Sequence, residues 1–165
     1  MCQRRLPHVP QAVPGAELRL RMEPDVAVQA DMYYFAYGSN LSKAQMRSRC
    51  PAAKALFSAT LPNYKLIFVG WSRQRRSAVA TIRAFRGERV RGGVYDVTEI
   101  DARALDRSEG VPDSYMRIKV NVFGDDSHQP VEAFTYIKTG QETEDKPSPE
   151  YLKVIEEGYR DWGLV

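Results

Sequence analysis

Four groups of residues have types and spacings suited to chemistry. The first is Tyr37-Gly38-Ser39-Asn40-Leu41, at the end of Met32 to Tyr37, a nearly continuous apolar and aromatic run. A strand that stops at Gly and turns into a helix start gathers unpaired backbone N–H groups at one point, a setting for an anion or an oxyanion. Gly38 permits close backbone approach by a ligand. The same residues also suit an ordinary strand-to-helix turn with Ser39 or Asn40 capping locally, and no base is visible that would make Ser39 a nucleophile.

The second is Glu109, in Leu105-Asp106-Arg107-Ser108-Glu109-Gly110-Val111-Pro112, at the last turn of a predicted helix. The negative end of the helix dipole disfavours a charged carboxylate there, and partial burial acts in the same upward direction on its pKa. That is the direction a general base and acid working near neutral pH requires. A surface glutamate at a helix end is the alternative, and Asp101 and Asp106 fit a solvated face. The third group is Tyr34, Tyr37, Tyr115 and Tyr151, each at an element end where a hydroxyl can leave the core and reach a ligand; such tyrosines also simply fill space. The fourth is the run from 73 to 91, with seven Arg against Glu88, a balance of +6, while 141–165 carries −4. A solvated face, or a field that attracts a small anion, fits this better than a nucleic-acid groove, since no RNP-like, KH or zinc-finger pattern accompanies it.

Composition narrows the remaining chemistry. The 165 residues include two Cys, at 2 and 50, and two His, His8 and His128, far apart. A four-ligand metal site and His-dependent activation of a Ser or Cys nucleophile therefore have little to draw on. No apolar run approaches the roughly 20 residues of a membrane helix. The default setting is soluble, reducing and cytoplasmic.

The elements that must position these residues read as strands with few helices. Residues 1–31 hold four Pro and balanced charge without a sustained period, so a flexible leader is expected there and a folded domain over 32–165. Strands are expected at Met32 to Tyr37, Leu66 to Trp71, Ser77 to Phe85, Gly92 to Val97, Tyr115 to Phe123 and Val131 to Lys138. In the fifth, Ile118, Val120 and Val122 alternate with Arg117, Lys119 and Asn121, and Gly124 to Ser127 supplies a turn. About six strands suit a curved sheet or a small barrel. Ser42 can cap a helix to about Arg49, and Thr98 with Asp101 opens a second that turns Ile100, Ala104 and Leu105 inward and ends near Gly110. Ser148 and Pro149 start a third, with Leu152, Ile155 and Tyr159 on one face and Gly163 at its stop.

The ordered segments Tyr34 to Leu41, Val79-Ala80-Thr81-Ile82, Gly92 to Val97, Leu105 to Val111 and Pro147 to Tyr151 together resemble the gamma-glutamyl cyclotransferase family over residues 33 to about 163. The resemblance implies an α+β fold, a small mixed β-barrel with flanking helices. It implies conversion of a gamma-glutamyl amide to 5-oxoproline plus a free amine, as in glutathione metabolism, without metal or cofactor. By the same resemblance Glu109 is the catalytic residue, Tyr37, Gly38, Ser39, Asn40 and Leu41 cradle the glutamyl group, and Tyr115 and Tyr151 line the pocket. The expected partner is a small gamma-glutamyl substrate, with no nucleic acid and no membrane; a homodimer is compatible with this reading. Arg75 and Arg76 stand where many relatives carry small residues, and the stretch from Gly110 to Tyr115 is one residue short. Two other readings share the motifs: removal of a gamma-glutamyl protecting group from a biosynthetic intermediate, and a ligand-binding member without catalysis.

Overall fold

A computed structural model of the chain describes residues 32–140 and 142–165, so the expected leader over 1–31 lies outside the described residues. Five strands, β1 (Met32–Ala36), β2 (Lys54–Ser72), β3 (Ser77–Val97), β4 (Tyr115–Gly124) and β5 (Pro130–Lys138), close into a barrel in the order β1-β3-β2-β4-β5. All neighbours are antiparallel except β1 and β5, whose parallel contact at Tyr34 and Phe134 completes the ring. Three helices flank it: α1 (Lys43–Arg49), α2 (Glu99–Glu109) and α3 (Pro149–Asp161), with a 3-10 turn at Ser39–Leu41. None of the described helices is long and apolar enough to cross a membrane. The expected small mixed barrel with flanking helices is the observed architecture.

Its strands are fewer and longer than the hydrophobic runs imply. Ser77 to Phe85 and Gly92 to Val97 are the two ends of β3, because β2 pairs along both, from Ile67 with Thr81 to Phe57 with Val94. Between them the register shifts where Pro62 faces Arg89 and Tyr64 faces Ala84. Asn63 and Gly87 take left-handed backbone there, with φ of 62° and 91°, and the Gly87 N–H donates to Asn63 Oδ1 at 3.2 Å. A bulge of this kind bends a paired strand without ending it. Pro62 and Asn63 are turn residues by type, which is why the first half of β2 does not stand out in the sequence.

The helix ends match their local signals. Ser42 Oγ accepts from Gln45 N at 3.3 Å, Thr98 and Asp101 form a reciprocal capping box, and Ser148 Oγ accepts from Tyr151 N at 3.2 Å with Pro149 opening α3. Orientation differs on α2. Ile100 is 76% exposed, and Ala102 joins Leu105 on the inward face instead. Asp101 is buried by its own capping role, and Asp106 accepts from Arg117 Nη2 at 2.6 Å and from the Tyr136 hydroxyl at 2.5 Å, so neither lies on a solvated face.

Successive side chains of β1 serve opposite layers, as the pleat requires. Phe35 enters the barrel interior with Leu61, Ile82, Val94 and Val122, whereas Tyr34 and Ala36 face an outer layer with Leu41, Met46, Tyr95 and Leu105. Complete burial of a leucine such as Leu105 contributes about 1.5–3 kcal/mol. This outer layer fixes α1 and α2 against the end of β1, where the candidate site forms.

Candidate active site

The 38–41 turn is held from three sides. The Tyr37 hydroxyl donates to Tyr136 O at 2.5 Å, the Tyr95 hydroxyl to Asn40 O at 2.9 Å and Trp162 Nε1 to Leu41 O at 2.8 Å. Helix α3 comes close enough to clamp the turn because Gly158 has no side chain: a Cβ there would lie 2.4 Å from Leu41 Cβ and 2.7 Å from Ser42 N. Within the turn Leu41 N donates to Gly38 O at 3.1 Å. No described residue accepts from the N–H of Gly38, Ser39 or Asn40. Three successive backbone donors on the turn are thus without a partner among the described residues.

A cavity of about 40 Å³ opens beside them, bounded by Tyr37, Gly38, Ser39, Asn40, Glu109, Tyr115 and Tyr151, with Tyr34, Ala80 and Tyr136 completing the wall. Ser39, Glu109, Tyr115 and Tyr151 also border an outer cleft of about 360 Å³. The backbone of Ala80 in β3 sets two of the tyrosines: its N–H donates to the Tyr151 hydroxyl at 3.1 Å, and its carbonyl accepts from the Tyr115 hydroxyl at 2.8 Å. Gly38 lies against the same residue, where a Cβ would meet Ala80 Cβ at 3.3 Å. The absence of a side chain at 38 therefore serves strand packing as well as access.

Glu109 is the last residue of α2, and Gly110, with φ of 69°, ends the helix behind it. Its side chain is 18% exposed. Asn40 Nδ2 donates to Glu109 Oε1 at 3.3 Å and to the Tyr34 hydroxyl at 2.9 Å, while Arg49 Nη1 lies 3.6 Å from the carboxylate. Asn40 Oδ1 accepts from Gln45 Nε2 at 3.0 Å and Arg49 Nη1 at 2.8 Å. Burial raises the Glu109 carboxyl above the ordinary glutamate range; Arg49, Arg75, the Asn40 hydrogen bond and Lys138 oppose it without cancelling it. The surrounding phenols of Tyr34, Tyr37, Tyr115 and Tyr151 are all pushed upward by burial, so they act as neutral hydrogen-bonding groups. One carboxylate able to take or give a proton, beside three backbone donors, is suited to proton transfer and to stabilising a developing oxyanion.

The structure brings Tyr37, Gly38, Ser39, Asn40, Glu109, Tyr115 and Tyr151 to one cavity. Leu41 is placed differently: its side chain is fully buried in the outer layer and its N–H is spent within the turn, so it anchors the loop without reaching the cavity. Gln45 and Arg49 join the site unforeseen, although their spacing of four along a helix capped by Ser42 puts them on one face. From the arginine run, Arg75 reaches inward: its Nη2 lies 2.6 Å from Gln45 Oε1 and 3.3 Å from Ser39 Oγ. Arg76, Arg83, Arg86 and Arg89 are exposed. Cys50 is buried at 1% exposure, its Sγ–H donating to Asp101 O at 3.5 Å, with burial pushing its pKa up to about 11. Among the described residues no group of His, Cys, Asp or Glu assembles that could hold a metal ion.

A family model described as "Gamma-glutamyl cyclotransferase, AIG2-like" matches residues 34–161. Human gamma-glutamylcyclotransferase is 34% identical over 137 residues, covering 79% of this chain and 71% of the human protein. The mouse gamma-glutamylcyclotransferase is 33% identical over 136 residues with the same shares. A solved structure of a gamma-glutamyl cyclotransferase superposes with a TM-score of 0.77 at 31% identity, covering 81% of each chain.

Proposed function

The chain belongs to the gamma-glutamyl cyclotransferase family and is an enzyme of that type, and from that premise we propose how its cavity carries the reaction. The substrate is a small gamma-glutamyl amide, and the products are 5-oxoproline and a free amine. The nucleophile is the substrate's own α-amino group, which attacks the γ-carbonyl carbon to close a five-membered ring.

Glu109 takes a proton from the α-ammonium, freeing the lone pair for attack. The tetrahedral intermediate collapses as the bond from the carbonyl carbon to the departing nitrogen breaks and that nitrogen is protonated. Over one turnover the attacking nitrogen loses two protons and the departing nitrogen gains two, leaving as an ammonium; Glu109 relays them and ends as it began. Attack within a single molecule needs the chain held in a folded conformer, and such alignment is worth about 7–11 kcal/mol at its best. The N–H groups of Gly38, Ser39 and Asn40 are the donors for the oxyanion or the α-carboxylate, and Tyr115 and Tyr151 wall the glutamyl chain. Both reacting atoms belong to the substrate and no electron is transferred, so the chemistry as written draws on no cofactor. A cytoplasmic enzyme in the gamma-glutamyl chemistry of glutathione metabolism is part of the same proposal.

The observation that supports this most directly is the Glu109 carboxylate, its pKa raised by burial, at a cavity also lined by Gly38, Ser39 and Asn40, whose N–H groups have no partner among the described residues. The test is 5-oxoproline release from a panel of gamma-glutamyl amino acids and amines by the wild-type protein and by Glu109→Gln. Loss of a general base lowers kcat/KM by about 10²–10⁴-fold. Equal activity in a folded Glu109→Gln protein removes Glu109 from the mechanism, and no 5-oxoproline from any substrate removes the proposed reaction.

A further inference from the structure

The outer cleft is positively charged to a degree the ring closure does not use. Arg49, Arg73, Arg75, Arg107 and Lys138 border it against the single carboxylate of Glu109. Arg49 is engaged with Asn40 and Glu109. Among the described residues Arg73, Arg75, Arg107 and Lys138 have no carboxylate within ion-pair distance. Four cations around one cleft repel each other, and an anion entering it relieves that repulsion.

Of the four, Arg73 and Arg107 are exposed, whereas Arg75 is half-buried and reaches the 38–41 turn. It stands on the connection between β2 and β3, and its guanidinium is held by neutral groups: Gln45 Oε1, Ser39 Oγ, and the face of Tyr151 at 5.2 Å from the ring centroid. Burial pulls its pKa down, and although the Glu109 carboxylate acts on it across the site, no carboxylate among the described residues pairs with it directly. Its contacts with Ser39 and Tyr151 put it at the border of the inner cavity, where the group leaving the γ-carbonyl must pass. The planar guanidinium presents five N–H donors and is suited to a carboxylate.

We propose that Arg75 is a specificity-determining residue that binds the carboxylate of the leaving group, so that the enzyme releases amino acids or peptides in preference to uncharged or cationic amines. This rests on the cyclotransferase reading above. In such a complex the glutamyl half fills the inner cavity and the leaving half extends into the basic cleft.

The experiment compares gamma-glutamyl-alanine with gamma-glutamyl-alaninamide, which differ only in the leaving group's charge. Wild-type kcat/KM should favour the acid by roughly ten- to a hundredfold, the range of one or two charge-assisted hydrogen bonds. In Arg75→Gln the ratio should fall toward one, chiefly through KM for the acid, and Arg75→Lys should give an intermediate ratio. The wild-type ratio should also shrink as salt is raised from 20 to 500 mM, on the order of the change expected from screening, which needs no variant to fold. Equal turnover of acid and amide by the wild type, or a ratio that Arg75→Gln leaves unchanged, overturns the inference while the cyclotransferase reading stands. Failure of both substrates to yield 5-oxoproline overturns that reading and this inference with it.

Discussion

Asn40 carries more of the site than its position in a turn implies. At 3% exposure, both Nδ2 hydrogens and both Oδ1 lone pairs are engaged, with Tyr34, Glu109, Gln45 and Arg49. Asn40→Ala removes all four bonds. Gln45 and Arg49 retain some access to water, so the loss concentrates on the Tyr34 hydroxyl, at 4% exposure, and on the Glu109 carboxylate. A buried polar group left without a partner costs about 1–3 kcal/mol. With partial relief by water at Glu109, the expected destabilisation is roughly 2–4 kcal/mol, read from urea denaturation curves followed by circular dichroism. Without Asn40 the carboxylate is no longer fixed against the cavity, and misplacement of a reacting group lowers kcat by on the order of tenfold to a hundredfold. Asn40→Asp tests geometry against charge, since it keeps the acceptors but replaces the donor to Glu109 by a like charge. A stability loss in Asn40→Ala below 1 kcal/mol, with kcat unchanged, would refute the view that this side chain organises the site.

Arg49 is the foremost opponent of the raised Glu109 pKa. Removing it in Arg49→Gln raises that pKa further, and because the base must be ionised, the acid limb of the kcat/KM profile should move to higher pH. For stability the sign runs the other way. A carboxyl whose folded pKa exceeds its unfolded value binds more protons when folded, so its contribution declines as pH rises from the unfolded to the folded pKa. Glu109→Gln removes that decline, and denaturation at pH 8 should find the variant at least as stable as wild type, although inactive. Gly158→Ala should cost about 1–3 kcal/mol by overpacking and should reduce activity, because the added Cβ presses on the backbone of Leu41 and Ser42; a midpoint equal to wild type contradicts the close approach. Tyr151→Phe orphans the Ala80 N–H and should lower stability by about 1–3 kcal/mol, more than Tyr115→Phe, which leaves a carbonyl that tolerates one missing partner. The reverse order in thermal melting would argue against that pairing.

Much of the local structure is legible in the residues. The caps at Ser42, Thr98 with Asp101, and Ser148 with Pro149 involve partners three residues away, and the alternation from Ile118 to Val122 follows from the pleat alone. These are short-range interactions, so their signals survive in a one-dimensional chain. The orientation of α2 was less accessible. Ile100 is apolar by type and occupies the first turn, yet the face that meets the barrel is set by the docking of Ala102 and Leu105, which leaves Ile100 in solvent. Asp106 looks like a surface acid until β4 and β5 bring Arg117 and Tyr136 to it.

The sequence alone determined the parts from which the candidate site is built: a Gly-containing turn after an apolar strand, a glutamate at a helix end, and tyrosines at element ends. Their order along the chain also pointed to the family. Only the tertiary structure decided that Asn40 joins Glu109 to Tyr34 and that Gln45 and Arg49 stand behind them. It also decided that Arg75, one of seven arginines in its run, is the one that reaches the turn. The physical reason is the pairing of β2 with β3: a slip of one residue would turn every side chain of the strand to the other face, and in the register that forms the connection bearing Arg75 arrives beside Ser39. Contacts between residues 36 positions apart are set by that pairing, which no local pattern of residue types records.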